Sequence, residues 1–108
     1  MLFTCAEEFY TKAANTEKLT REEEKILAKA MKEGDGSARE RLIQGYFPLV
    51  AARLKRTHNS ASLDLIYHCI SALEKAVDGF DFLQDNEPFS HRLSLLLNKE
   101  ISSRIARE

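Results

Sequence analysis

Apolar residues recur three and four positions apart along almost the whole chain, and no stretch alternates strictly between apolar and polar residues. This spacing places apolar side chains on one face of an α-helix, whereas a half-buried strand has a period of two. The pattern therefore predicts an all-α protein. The predicted helices span about residues 2–14, 21–33, 36–46, 48–57, 63–79 and 90–107.

Local signals predict where several of these helices end. Thr20 and Glu23 form the sequence of a capping box, in which each side chain accepts a hydrogen bond from the other residue's amide. The Gly-Asp-Gly run at 34–36 suits a left-handed helix end. Pro48 lacks an amide hydrogen and clashes with the preceding turn, so we expect a break near Phe47.

The apolar faces of three helices predict the core. In the second helix these positions are Ile26, Leu27, Ala30 and Met31. In the fifth helix they form two adjacent rows, at 66-70-73-77-80 and 65-69-72-76. In the last helix they are Leu93, Leu97, Ile101 and Ile105, with Leu96 at the edge and Leu95 exposed on the far side. A face two rows wide belongs to a helix that packs against at least two others, so we expect a compact bundle of five or six helices.

Length and charge limit the function classes. The 108 residues suffice for one domain, and 44% apolar with 31% charged residues is typical of a globular protein. The formal charge of -1 conceals strong segregation, because residues 41–63 contain four bases and no acid while residues 64–88 contain six acids and one base. The chain therefore lacks the uniformly basic surface of an autonomous DNA-binding protein.

The sequence contains no constellation typical of an enzyme, a metal site or a membrane span. There is no phosphate-binding loop or nucleophile elbow, and His68 and Cys69 diverge by about 100° on a helix. Cys5 and Cys69 have no partner at metal-binding spacing, and no apolar run approaches about 18 residues. We expect a cytoplasmic protein that is not an enzyme, with no catalytic residues, cofactor or metal.

Two segments contain motifs in a familiar order. Residues 19–56 contain Leu-Thr, a Gly-Asp turn, Ala-Arg-x-x-Leu-Ile and Pro-Leu-Val, and residues 63–105 contain Asp64-Leu65-Ile66, Leu73, Ala76, Phe80-Asp81 and Phe89-Ser90. These motifs resemble the second region, with part of the preceding region, of housekeeping-type bacterial RNA polymerase sigma factors. The resemblance covers about residues 19–105 of a single helical domain, preceded by an N-terminal helix and linker over about residues 1–18.

The resemblance implies that the helix over 63–79 docks on the clamp coiled coil of the largest subunit of the polymerase core. The polar residues on that face here are Asp64, Tyr67, His68, Ser71, Glu74, Lys75 and Asp78, and all of them except Lys75 are candidates for polymerase binding. Tyr67, His68 and Cys69 replace the usual Gln, Glu and Gly, so complementarity to a basic coiled coil would rest on the three acids. By composition alone, the same face is an ordinary solvated one.

The resemblance also implies promoter contact by the last helix, through Arg92, Leu95, Leu96, Lys99, Ser102 and Arg104. In the family, a Tyr stands at position 92 and two Trp at 95 and 96, and Gln and Thr at 99 and 102 read the upstream edge of the promoter element. Promoter melting needs flat rings to replace the base stack, and residues 90–108 contain none. An exposed Leu95 favours a protein contact over a wedge between bases.

Three hypotheses remain open from the sequence. The first is a sigma-like initiation subunit, either a fragment of a longer sigma factor or a split one whose partner chain supplies a helix-turn-helix. The second is a degenerate sigma-like domain that homodimerises or sequesters another factor without melting promoters. The third, an unrelated DNA-binding helical domain, is disfavoured by the near-neutral charge.

Overall fold

Six helices make up the part of the fold that the structure describes. The computed structural model describes residues 3–57, 63–82 and 88–107, without the side chains of residues 57 and 104–107. The helices are α1 Ala6–Ala14, α2 Arg21–Lys32, α3 Gly36–Gly45, α4 Phe47–Thr57, α5 Leu63–Gly79 and α6 Phe89–Arg107. The described residues contain no strand, and the prediction of an all-α bundle is confirmed. Helix α5 packs on α3 and α6, α4 packs on α1 and α6, and α2 packs on α3.

Both ends of α2 form as the local sequence predicts. The Glu23 amide donates to the Thr20 hydroxyl at 3.1 Å, and the Thr20 amide donates to the Glu23 carboxylate at 3.0 Å. At the other end Gly34 has a φ of 97°, a conformation that glycine adopts without strain. The amides of Gly34 and Asp35 then donate to the carbonyls of Met31 and Ala30, each at 3.0 Å. This pair of bonds is a Schellman motif.

The break between α3 and α4 lies at Tyr46, as the proline predicts. Pro48 is in the first turn of α4, where an amide hydrogen would have no partner within the helix. At the end of α3, a Cβ added to Gly45 would lie 2.6 Å from Cδ1 of Leu19. The absence of a side chain at Gly45 therefore lets the linker before α2 pack directly on the α3 backbone.

The predicted start of α1 is wrong by several residues. The helix begins at Ala6, and Phe3 precedes it as a buried residue rather than as part of the first turn. Residue 2, the predicted start, lies outside the described residues. The Thr4 amide donates to the Glu8 carboxylate at 3.0 Å, which ties the residue after Phe3 to the first turn of α1.

The predicted apolar face of α2 is also wrong at one position. Ile26 is 69% exposed, whereas Ala28 is buried, and Leu27, Ala30 and Met31 are half-buried. Residues two apart on a helix point about 200° away from each other, so Ile26 and Ala28 cannot face the same neighbour. Because α2 packs on α3, the face centred on the small Ala28 is the one covered.

Aromatic residues dominate the core in two clusters. All six phenylalanines are buried. Phe9 lies 5.6 Å from Phe3 and 5.4 Å from Phe47 between ring centroids. The second cluster is centred on Phe89, whose ring centroid is 4.7 Å from that of Tyr46 and 5.0 Å from those of Phe80 and Phe82. Both clusters belong to one continuous core, which brings together aromatic residues from distant parts of the sequence.

The two apolar rows of α5 and the stripe of α6 are placed as predicted. In α5, Leu65, Ile66, Cys69, Leu73 and Val77 are buried. In α6, the residues at 93, 97 and 101 are buried, and the side chain of Ile105 lies outside the described residues. With these two faces covered, α5 presents a polar arc outward.

Candidate protein-docking site on α5

A polar row runs along the outward side of α5. Its members are Asp64, His68, Ser71, Lys75 and Asp78. Steps of four and three residues keep these side chains in one line, about 21 Å long at 1.5 Å per residue. All are exposed except His68, which is half-buried. We call this set the α5 row, and it brings together four of the six residues that the sequence predicts for polymerase binding.

The other two predicted residues, Tyr67 and Glu74, lie beside the row at a small cavity. The cavity has a volume of about 120 Å³. It is lined by Arg39, Glu40, Ile43, Gln44, Phe47, Tyr67, Ile70 and Glu74. Its apolar lining residues are buried or half-buried, whereas Glu40 is exposed. The cavity thus lies between α3, the start of α4 and α5, and it has charged residues beside an apolar lining.

The hydroxyl of Tyr67 is engaged within the protein. It accepts a hydrogen bond from the Phe3 amide at 2.6 Å and donates one to the Phe3 carbonyl at 2.8 Å. Tyr67 therefore stabilises the fold, because its hydroxyl holds the chain before α1. Its ring remains available at the cavity wall.

Asp78 is paired with Arg39 of α3. The guanidinium donates from Nε to Oδ1 at 2.7 Å and from Nη2 to Oδ2 at 2.9 Å, a bidentate geometry. The hydrogen bond from Arg39 lowers the pKa of Asp78, and the same bond raises the pKa of Arg39. Asp78 is therefore compensated, and the acidic character of this face depends more on its other carboxylates.

Sequence reasoning missed the contribution of α3 to this face. The pKa of Arg39 is also raised by the charges of Glu74 and Glu40, which come from two different helices. One guanidinium therefore faces three carboxylates, counting Asp78, and the cluster is net negative. The Ala-Arg-x-x-Leu-Ile motif contains both α3 residues, but only the packing of α3 on α5 shows that they adjoin the row.

The residues predicted for DNA contact lie along the exposed side of α6. Arg92, Leu95, Leu96, Lys99 and Ser102 are all exposed, and the side chain of Arg104 lies outside the described residues. Leu95 is 58% exposed, as predicted, and Leu96 is 39% exposed. The guanidinium carbon of Arg92 lies 5.4 Å from the ring centroid of Phe80, within the range of a cation–π contact.

None of the aromatic rings stands on the surface. The chain has six Phe, three Tyr and no Trp, and all nine rings belong to the described residues. Tyr10 and Tyr67 are half-buried and the other seven are buried. Tyr46 donates its hydroxyl to the Glu24 carboxylate, and burial together with this bond raises the pKa of Tyr46. Seven of the nine rings are thus enclosed in the core, and none of the nine lies on the exposed side of α6.

Cys69 faces the core rather than its neighbour His68. Burial is the main reason that the pKa of the Cys69 thiol is raised, to about 12, so the thiolate is disfavoured at neutral pH. Among the described residues, no group of three His, Cys, Asp or Glu side chains is arranged to hold a metal ion. In the same part of the chain, each helix is too short or too polar to cross a membrane.

Comparison with known proteins adds no relative. No family model matches the chain, and a search of curated proteins finds no match.

Proposed function

We propose that this chain is a sigma-like transcription initiation subunit that docks through the α5 row on the clamp coiled coil of bacterial RNA polymerase. The observation that supports it best is the α5 row itself. Helix α5 is packed on its other sides by α3, α4 and α6, yet a straight polar line runs along its outward side and is exposed except at His68. A straight row of this kind fits a long, rod-shaped partner better than a compact one.

Charge favours a basic partner for this face. Asp64 begins the row, and Glu40 and Glu74 adjoin its far half, while Lys75 is the one base within the row. Complementary charge mainly speeds encounter and selects the partner. The Tyr67 ring and Ile70 at the cavity offer an apolar contact in the same interface.

The proposed role is docking rather than base stacking. Sigma factors of the family that the sequence resembles melt promoters with aromatic rings on the last helix, and residues 90–108 contain no such ring. If the promoter is melted, the stacking groups would therefore have to come from outside this helix.

Binding to purified RNA polymerase core enzyme tests the proposal. We expect a fluorescently labelled chain to bind the core at micromolar concentration or tighter. Replacing Asp64 and Ser71 by Arg should weaken binding by about tenfold or more, since both side chains would oppose a basic partner. Glu22→Arg makes a similar charge change on α2, away from the row, and should leave the affinity within about twofold. No binding at micromolar concentration, or equal binding by all three proteins, would contradict the proposal.

The exposed leucines of α6 favour a second candidate, a sigma-like regulator that acts through protein contact alone. In its homodimeric form, light scattering should show a dimer for the wild type and a monomer for Leu95→Arg. A monomer in both cases rules out that form.

A further inference from the structure

Four residues of α6 form a compact exposed patch. They are Arg92, Leu95, Leu96 and Lys99. Each leucine is three or four positions from both Arg92 and Lys99, and the two leucines are adjacent. On a helix, this spacing surrounds two neighbouring leucines with one cation at each end, over about 10 Å of the axis. We call these four residues the α6 patch.

The leucines of the α6 patch lie outside the hydrophobic core. Leu95 and Leu96 are 58% and 39% exposed, and with Ile26 they are the exposed large apolar residues of the described chain. The opposite side of α6 buries Leu93 and Leu97 against the rest of the bundle. A pair of adjacent exposed leucines is therefore available to a partner.

The cations at its ends limit what can cover the patch. A second copy related by a two-fold axis would bring Arg92 next to Lys99 if the helices ran antiparallel, and each cation next to its equivalent if they ran parallel. Both arrangements place like charges together, which is costly at an interface. Nucleic acid would suit the cations but not the leucines, and the chain has a net charge of -1.

A helix with an apolar ridge between carboxylates satisfies both features. We propose that the α6 patch binds an acidic amphipathic helix of a partner protein. Leu95 and Leu96 contact the apolar ridge, and the cations of Arg92 and Lys99 pair with acids beside it. The Phe80 ring beneath Arg92 fixes one of these cations in position. The inference is independent of docking through the α5 row.

A designed peptide tests the α6 patch in the full chain. The probe is a labelled helical peptide of about five turns, with leucines in an i, i+3, i+4, i+7 pattern and glutamates on both flanks. Its matched partner has glutamine at every glutamate position, because a basic peptide could also bind the α5 row. By fluorescence anisotropy we expect the chain to bind the acidic peptide about tenfold more tightly than the uncharged one.

Substitutions then locate the binding. Leu95→Ser should weaken binding of the acidic peptide by about tenfold, whereas Ile26→Ser, at an equally exposed apolar residue on α2, should leave it within about twofold. Lys99→Glu should reduce or reverse the preference between the peptides. Lys99 is chosen over Arg92 because a change at Arg92 would also remove its contact with Phe80.

Several results would overturn the inference. These are no binding of the acidic peptide, equal binding of both peptides, or equal effects of Leu95→Ser and Ile26→Ser. A dimer that Leu95→Ser dissociates would instead assign the patch to a second copy. Binding of a short single-stranded or duplex DNA that Leu95→Ser abolishes would assign it to nucleic acid.

Discussion

At the scale of single residues, the hydroxyl of Tyr67 connects α5 to the chain before α1. It holds both the amide and the carbonyl of Phe3, and the Phe3 ring packs edge-on against Phe9 and Phe47. One hydroxyl thus keeps a buried ring in place from 64 residues away in the sequence. The same tyrosine lines the cavity beside the α5 row, so a change in its position would affect the proposed docking face.

Removing this hydroxyl should destabilise the fold. Tyr67→Phe leaves two backbone groups of Phe3 without their partner, and we expect the free energy of unfolding to fall by about 1–2 kcal/mol. Urea denaturation followed by far-UV circular dichroism measures the loss. As a control, Tyr10→Phe retains the ring over which Lys55 lies and should cost less. Equal losses in the two proteins would show that the Tyr67 hydrogen bonds contribute nothing specific.

Asp78 should give the stability of the protein a component that depends on pH. Its pKa in the folded state is lowered by Arg39 from the ordinary 3.8, so the stabilisation is present above that value and is lost as the pH falls through the lower, folded pKa. Because both side chains are partly exposed, about 0.5 kcal/mol is expected. Asp78→Asn should lower the Tm at neutral pH but not near pH 2.

A double-mutant cycle isolates this pair. In the background of Arg39→Gln, the Asp78→Asn change should have almost no effect at either pH, since the guanidinium that lowers the pKa is gone. An undiminished effect in that background would mean that another group stabilises the carboxylate.

At the scale of helices, local sequence signals at both ends of α2 determine where the helix begins and ends. The capping box at Thr20 and the left-handed Gly34 both depend on neighbouring residues alone, and both were predictable. The break at Pro48 belongs to the same class. The exposure of Ile26 could not be predicted. The periodicity of α2 is compatible with more than one buried face, and the packing of α2 on α3 determines which face is covered.

Two glycines in the α2–α3 connection, separated by Asp35, should respond differently to the same change. Gly34→Ala places a side chain at a φ of 97°, so we expect a loss of about 1–2 kcal/mol in the free energy of unfolding. Gly36→Ala is the matched control, since Gly36 begins α3 and a Cβ there meets nothing within 4 Å. It should be neutral or slightly stabilising. Urea denaturation compares both with the wild type, and a neutral Gly34→Ala would contradict the argument from backbone strain.

At the scale of the whole molecule, charge is segregated over two surfaces. The α5 row adjoins a net-negative cluster that α3 completes, whereas the α6 patch has a cation at each end. The α5 row was predictable because one helix supplies it, and four of its members follow from spacing alone. The contribution of Arg39 and Glu40 to this surface could not be predicted, because it depends on how α3 packs against α5.

This segregation predicts how salt should affect binding to the polymerase core. If the core binds the α5 row as proposed, the paired charges are exposed, and raising the ionic strength from about 0.05 to 0.5 M should weaken binding by about tenfold. Asp64→Asn should bind more weakly at low salt and respond less steeply to added salt. Fluorescence titrations at several salt concentrations give both slopes, and parallel slopes would exclude Asp64 from the contact.

The aromatic composition also makes the intrinsic fluorescence of the protein easy to interpret. With no tryptophan in the chain, its native emission comes from three tyrosines, each half-buried or buried within the fold. A single Leu95→Trp substitution would therefore introduce the sole indole of the molecule, at a position 58% exposed in the present structure. Its emission maximum would shift to shorter wavelength when a partner covers α6. The same substitution would place a flat ring where the resembling family has one, so one protein could report both occupancy of the patch and any gain of base stacking.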